Sequence, residues 1–382
     1  MPLSHYDSAR QTLPETPFPN LFVRSISQFH KTLILQPYSP QQIALLDKGN
    51  FAFYLILGAV TMNTNNAEPI IIWRLTDGKP GHQSQSLGLV NALKRKMSCE
   101  SFDIPVSGRL QPVFDLLSTT WPAGHGLPLP DLIIGAGHRT HLHMLAAKKV
   151  YGGQTIVLMQ PSLPVSFFDL SLIPEHDYYQ GGGNVLETRG VLNPIHAAGE
   201  HQKNEGLIMI GGPSKHCDWN ESQLISQVTQ LCKQNPRIHY TLTTSPRTPA
   251  NFATHMLGFK LDNLTIVPFE ETDRNWVARQ LAACYSTWIS EDSVSMVYEA
   301  LTAKTAVGIL NMPIKRDNRV SRGLSKLVGE GYAVRFDSLG HYKSRLQPVP
   351  GFMESERCAD WIMKHWLDAA VQPQTLPIPQ LS

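Results

Sequence analysis

The chain is short of several things that would have assigned it quickly. It has five cysteines in 382 residues. They stand at Cys99, Cys217, Cys232, Cys284 and Cys358 and form no C-x-x-C pair. Their odd count and wide spacing argue for reduced thiols in a cytosolic compartment. No apolar run reaches the roughly 20 residues that span a bilayer. Basic residues (33) nearly balance acidic ones (31) and are scattered, so no nucleic-acid-binding face is expected. There is no Asp-x-Asp, the carboxylate pair that commonly holds a divalent cation and a nucleotide together. What is present is an ordinary globular composition, 42% hydrophobic, in a chain long enough for two cores.

The first sixty residues carry no periodic pattern. Pro14, Pro17, Pro19, Pro37 and Pro40 interrupt them. Phe51 to Val60 is apolar but too short for a membrane helix, and it lacks the basic flank and cleavage site of a signal peptide. We expect Met62 to be the natural start, with residues 1–61 a disordered extension or a gene start set too early. The rival expectation is a membrane-contacting segment around Phe51–Val60.

From residue 69 onward, one piece of grammar occurs twice. Ile70 to Thr76 is an apolar run that breaks into Asp77-Gly78-Lys79-Pro80-Gly81-His82. Leu207 to Ile210 breaks into Gly211-Gly212-Pro213-Ser214-Lys215-His216. A helical pattern follows each, about Gln83–Lys96 and Glu221–Gln234. Strand, glycine turn and helix present backbone N–H groups to anions. Further buried-type strands are expected at 131–134, 155–159, 170–173, 185–188, 238–243, 265–267, 286–289, 306–310 and 332–336, with helices between most of them. Such alternation predicts parallel sheets covered on both faces. Residues 194–205 are polar and read as a linker without a strand. The fold class is therefore α/β, with two Rossmann-like domains facing a cleft. The expected boundaries are 62–193 for the N-terminal domain, 206–350 for the C-terminal domain, and 351–382 for a C-terminal helix and tail able to pack back on the first.

Candidate site residues follow from chemistry at these loops. Gly211 and Gly212 permit close backbone approach, Ser214 adds a hydroxyl and Lys215 a charge, a set suited to a diphosphate. The expected helix at 292–303 offers free first-turn amides beside Ser293. Ser295 and Glu299, one turn apart, share a face on which a carboxylate could take both hydroxyls of a ribose. Arg247 could pair with a phosphate bidentately. Asp77 and His82 are the candidate bases for a hydroxyl nucleophile. Lys79, His138 and Arg139 are expected on the acceptor side. His138, His141 and His143 do not share one helical face and have no nearby carboxylate, so no metal site is expected.

Asp77-Gly-Lys-Pro-Gly-His82, Gly135-Ala-Gly-His-Arg-Thr-His141, Met159-Gln-Pro-Ser-Leu-Pro164, Ile173-Pro-Glu-His-Asp177, Ile210-Gly-Gly-Pro-Ser-Lys-His216 and Asp292-Ser-Val-Ser-Met-Val-Tyr-Glu-Ala300 together resemble the mitochondrial-fission, or "elongated mitochondria", family. The resemblance spans about residues 69–336. Plant members help recruit a dynamin-related protein to mitochondria. Bacterial members, whose composition this chain shares, are described as glycosyltransferases or nucleotide-sugar epimerases. The resemblance implies the GT-B fold, with the nucleotide held by the C-terminal domain and the acceptor by the N-terminal one. It also implies a diphosphate role for the Gly211–His216 loop and a ribose role for Ser295 and Glu299. The resulting expectation is a metal-independent glycosyltransferase. Its co-substrate would be a nucleotide-diphosphate sugar, with no further cofactor. Its acceptor could be a cell-envelope glycolipid reached from the cytoplasm or the inner membrane surface. The alternatives are an epimerase on the same fold, which needs no acceptor, and a non-catalytic adaptor, which needs no nucleotide.

Overall fold

Two parallel six-stranded sheets organise the described chain. The computed structural model describes residues 68–106, 108, 111–196, 199–215, 217–315, 319–338 and 346–367. The leader at 1–61, His216 and the tail beyond 367 lie outside the described residues.

The first sheet is laid down by β1 (Ile70–Thr76), α1 (Pro80–Lys96), β2 (Cys99–Pro105), α2 (Gln111–Ser118), β3 (Leu132–Ala136), α3 (His138–Tyr151), β4 (Gln154–Leu158), β5 (Leu170–Pro174) and β6 (Val185–Thr188). Its strand order is β2-β1-β3-β4-β5-β6. The second is laid down by β7 (Gln202–Met209), α4 (Glu221–Gln234), β8 (His239–Thr243), α5 (Phe252–Leu257), β9 (Leu264–Val267), α6 (Trp276–Ala283), β10 (Cys284–Ser290), α7 (Val294–Thr302), β11 (Ala306–Leu310), α8 (Arg319–Gly329) and β12 (Ala333–Arg335). Its order is β12-β11-β10-β7-β8-β9. Every paired neighbour runs parallel. Strands such as β3, β5 and β11 are buried along their whole length, because helices cover both faces. This is an α/β fold of two Rossmann-like halves, and both sheets lie in one unit, Ala67–Ser382.

Strand order reverses once in each sheet, between β1 and β3 and between β10 and β7. At such a switch point the loops leaving neighbouring strands part in opposite directions and open a crevice at the C-terminal edge. The loops there are Asp77–Lys79 and Gly137 in the first sheet, and Gly211–Lys215 and Glu291–Ser293 in the second.

The last helix, α9 (Glu354–Ile362), leaves the second half and packs on α1. Cys358, Ala359 and Ile362 join Leu89, Val90 and Leu93 in one buried cluster. Arg95 Nε donates to Glu356 at 2.7 Å, and Lys96 pairs with Asp360 at 2.8 Å. No helix of the described residues is long and apolar enough to cross a membrane.

Several elements differ from expectation. β7 starts at Gln202, inside the stretch read as a strandless linker. Gln202, Lys203 and Asn204 are exposed there, so this end of the strand carries no apolar signal, although Gln202 pairs with Cys284. α1 starts at Pro80, and His82 therefore sits in its first turn. β2 and α2 were not expected at all. β2 is an edge strand whose Glu100 and Asp103 face outward, and α2 has only two buried residues.

Candidate active site

In the first crevice, β1 delivers Asp77 to the sheet edge, where the residue is buried. Its Oδ1 accepts the Lys79 N–H at 3.1 Å, and its Oδ2 lies 2.9 Å from His82 Nδ1. Burial by itself would raise the Asp77 carboxyl. The His82 hydrogen bond, the Lys79 amide and the two nearby positive charges outweigh it and hold Asp77 below its usual range. An ionised carboxylate only accepts, so the hydrogen shared with Asp77 is carried on His82 Nδ1, and it is the neutral form of the ring that presents Nε2 as an acceptor. Arg74 supports this turn from beneath: its Nη1 donates to the Gln83 carbonyl at 3.1 Å and its Nε to Asp103 at 2.6 Å.

Gly137, at the end of β3, closes the crevice from the other side. Its φ is +85°, and a Cβ there would stand 2.2 Å from His82 Nδ1 and 3.2 Å from Asp77 Oδ2. Only glycine lets β3 come this close to the pair. Lys79, His138 and Arg139 are exposed around it. His141 is buried, with Nδ1 3.1 Å from Ser162 Oγ. Desolvation, together with repulsion from His138 and His82, pushes its pKa down to about 4. His143 instead meets the Trp121 indole. Among the described residues no group of three or more His, Cys, Asp or Glu side chains is placed to hold a metal ion.

The second crevice is built around Asp292, whose side chain is fully buried. Ser290 Oγ accepts the Gly211 N–H at 2.7 Å and donates to Asp292 Oδ1 at 2.6 Å. Asp292 Oδ2 accepts the Gly212 N–H at 3.1 Å and pairs with Arg247 at 2.7 Å. Arg247 Nη1 also donates to the Gly212 carbonyl at 3.2 Å. These contacts correct the picture of a loop offering its glycine amides and an arginine to an anion. In this structure the Gly212 amide and Arg247 are turned inward on Asp292, a carboxylate eighty residues beyond Gly212 in the chain, and the Gly211 amide is turned onto Ser290. The glycines are needed for that approach, since a Cβ on Gly211 would stand 2.2 Å from Asp292 Oδ2 and one on Gly212 would stand 2.1 Å from the Arg247 carbonyl oxygen.

The helix after the loop, α4, runs over Glu221–Gln234 as expected, and the Asn220 side chain caps it by accepting from Gln223 N, so its terminus is separated from Gly211–Lys215 by five residues. The helix terminus at this crevice is that of α7. Ser293 is its N-cap and makes no side-chain cap bond, and the first-turn amides have no intrahelical acceptor. Ser295 is exposed, and Glu299 lies one turn further along. Glu299 keeps some surface, yet desolvation raises its pKa to about 7. Lys215 is exposed and makes no ion pair among the described residues. Ser214 Oγ accepts from Cys217 N at 3.0 Å, and its carbonyl accepts from Lys315.

The two halves meet beside these crevices. Glu175, just past β5, pairs with Lys326 of α8 at 2.6 Å. His176 stacks on Tyr298 of α7, and Arg322 lies over the Tyr178 ring. The C-terminal edge of the first sheet thus meets the α7–α8 side of the second. Sequence reasoning passed over Gly137 as a cradle, and Arg74, Ser290 and Asp292 as supports. The one local signal was a glycine or serine at the very end of each strand.

A family model described as Mitochondrial fission ELM1 matches residues 80–366. The uncharacterized protein RP120 of Rickettsia prowazekii (strain Madrid E) is 25% identical over 297 residues, 63% of this chain and 83% of that protein. Among solved structures, a protein assigned as a UDP-N-acetylglucosamine 2-epimerase from Listeria monocytogenes aligns with a TM-score of 0.51 at 12% identity, over 78% of this chain and 97% of that one. The UDP-GlcNAc 2-epimerase of Methanocaldococcus jannaschii aligns with a TM-score of 0.49 at 10% identity, over 77% and 100%. The Listeria likeness shows the fold, the GT-B arrangement of two Rossmann-like halves.

Proposed function

The chain belongs to the mitochondrial fission ELM1 family, and from that premise we propose that it transfers a sugar from a nucleotide-diphosphate donor to a hydroxyl acceptor. The observation that carries this reading is the Asp77–His82 pair at the first switch point, a buried carboxylate held in its ionised form and fixing the imidazole through Nδ1. Such a pair is a general base for a hydroxyl.

In the proposed reaction His82 Nε2 takes the acceptor's proton, and the oxygen attacks the anomeric carbon. The bond from that carbon to the diphosphate breaks, and the nucleoside diphosphate departs with its electrons. The first-turn amides of α7, with Lys215 and Ser214 opposite, offset the developing charge. Glu299 and Ser295 take the ribose hydroxyls. Gly211, Gly212 and Arg247, closed on Asp292, form the floor that holds Ser293 and the start of α7 in place. Lys79, His138 and Arg139 line the acceptor side, where a glycolipid is the acceptor we favour. The name of the Listeria protein, a nucleotide-sugar enzyme on the same architecture, supports the donor class and leaves the reaction open.

The test is a thermal-shift panel of UDP-, GDP-, ADP- and CMP-sugars and free nucleotides. A ligand of the native state raises the melting temperature. One nucleotide class is expected to do so, with the shift lost in Glu299→Ala and Lys215→Ala. His82→Ala is expected to keep the shift and lose turnover by about a hundredfold or more. Donor conversion without any acceptor would assign epimerisation instead. A folded protein that responds to nothing in the panel overturns the reading.

A further inference from the structure

One helix of the first half is folded inside out. The inner positions of α2 carry Pro112 and Asp115, and Asp115 is 4% exposed. The outer positions carry Val113, Phe114 and Leu117, which are 38%, 63% and 76% exposed. An ordinary surface helix turns its acid outward and its phenylalanine inward. Asp115 is satisfied where it is: its Oδ1 accepts from Gln111 Nε2 at 2.8 Å, and its carbonyl accepts from Thr120 N at 3.0 Å. Phe114 and Leu117 stand one turn apart and share a face, with Val113 beside them.

The surface around this helix is bare of its own charge. Residues 111–130 hold one Asp, Glu, Lys or Arg, the buried Asp115, in a chain that is 17% charged. Charge reaches the face from α3, on which α2 packs. Lys149 is exposed, and its Nζ donates to the Leu116 carbonyl at 2.8 Å. An ammonium is thereby held against the turn that carries Leu117, with two of its three N–H donors left over. Lys149 and Arg139, near the two ends of α3, make no ion pair among the described residues. Of the acids on neighbouring strands and loops, Asp103 is held by Arg74 and Asp169 by Lys148, and Glu100 is exposed at the start of β2. The balance beside the apolar face is positive.

We propose that α2 and the adjoining end of α3 dock on an anionic lipid surface, with Phe114 and Leu117 at its acyl boundary and Lys149 among its phosphates. Apolar tips edged by an ammonium match a layer whose apolar interior lies just beneath negative headgroups. Turning Asp115 inward keeps the one acid of the segment away from those headgroups. The side chains protrude rather than line a groove, which suits a deformable layer better than a protein pocket. α2 and α3 both leave the C-terminal edge of the first sheet, and Lys149 lies ten residues, about 15 Å, along α3 from Arg139. Docking holds the Gly137 crevice close to the surface, where a lipid-borne acceptor is presented. It needs neither nucleotide nor turnover, so it stands or falls apart from the transferase reading.

The test is sedimentation of the full chain, without nucleotide, on vesicles of phosphatidylcholine alone or with about one-third phosphatidylglycerol. Binding is expected on the mixed vesicles, and salt is expected to weaken it. Phe114→Gln/Leu117→Gln places good helix formers at exposed positions. It is expected to leave the melting temperature unchanged and to weaken vesicle binding by about tenfold or more. Lys149→Ala is expected to weaken binding about fivefold. No binding to the mixed vesicles overturns the proposal, as does equal binding to the two compositions or undiminished binding in the double variant. So does a wild-type dimer in gel filtration that the double variant converts to monomer, which would assign the face to a second copy of the chain.

Discussion

The Glu299 carboxyl has no hydrogen-bond or ion-pair partner among the described residues, and desolvation lifts it from its ordinary 4.5 to about 7. That makes it the residue through which pH acts on the candidate nucleotide site. Its native pKa lies above its unfolded one, so between about pH 4.5 and 7 the native state holds a proton that the unfolded state has released. Stability therefore falls as pH rises through that window. Because the residue keeps some surface, we expect the loss to be about 2 kcal/mol rather than the full shift converted. Glu299→Gln is expected to flatten this part of the stability profile in urea titrations at several pH values. An unchanged profile would show that the carboxyl is ordinary in the folded chain. A ribose whose hydroxyls donate to the carboxylate binds more tightly above about pH 7 than below about pH 5, because only the ionised form has both oxygens free to accept. Binding and stability are thus expected to move in opposite directions with pH, which distinguishes Glu299 from a group that merely loosens the fold.

At the scale of elements, the loop Gly211–Lys215 and the turn before α7 act as one piece, joined through Asp292. Removing Arg247 leaves that buried carboxylate, among the described residues, with Ser290 and Gly212 to hold it. Arg247→Ala is expected to cost about 1–3 kcal/mol, and the Arg247→Ala/Asp292→Asn double variant less than the sum of the singles. Additive effects in urea denaturation would show that the two residues do not act together. This coupling also marks what the sequence could and could not convey. Strands buried on both faces, such as β3, β4 and β11, read as short unbroken apolar runs, and β11 was anticipated to the residue. β2 was missed because Glu100 and Asp103 break up its pattern, and α2 because Phe114 and Leu117 point outward. The glycines of both crevices were legible as places of close approach. What approaches them was not, because Asp292 lies about eighty residues from Gly211, and Gly137 lies fifty-five from His82. Composition and spacing carry no record of such pairings. They arise only when strand order brings the ends of β7 and β10, or of β1 and β3, side by side.

For the whole molecule, the point where the halves are fixed together is Asn193. Its Nδ2 donates to Thr302 of α7 at 3.0 Å, its backbone carbonyl accepts from Ser355 of α9 at 2.9 Å, and its Oδ1 caps Ile195 N at 3.1 Å. Against this crossing lies Gly88, in the middle of α1. A Cβ on Gly88 would stand 2.4 Å from the Asn193 carbonyl oxygen and 2.5 Å from its carbonyl carbon. Two physical effects predict opposite signs for Gly88→Ala. Helix propensity favours alanine inside a helix by about 1 kcal/mol. Packing opposes it, and the atom in the way is backbone, already held by Ser355, with no rotamer into which to retreat. We expect packing to win, with a net loss of about 1–3 kcal/mol and a lower melting temperature. Because the clash falls where α1, α7 and α9 converge, it is also expected to loosen one half against the other. Protease digestion of Gly88→Ala should then open first between the halves, within residues 189–205, while the amides of β3 and β11 keep their protection from hydrogen exchange. A melting temperature at or above that of the wild type would mean that α1 shifts to make room, and that Asn193 does not fix the two halves.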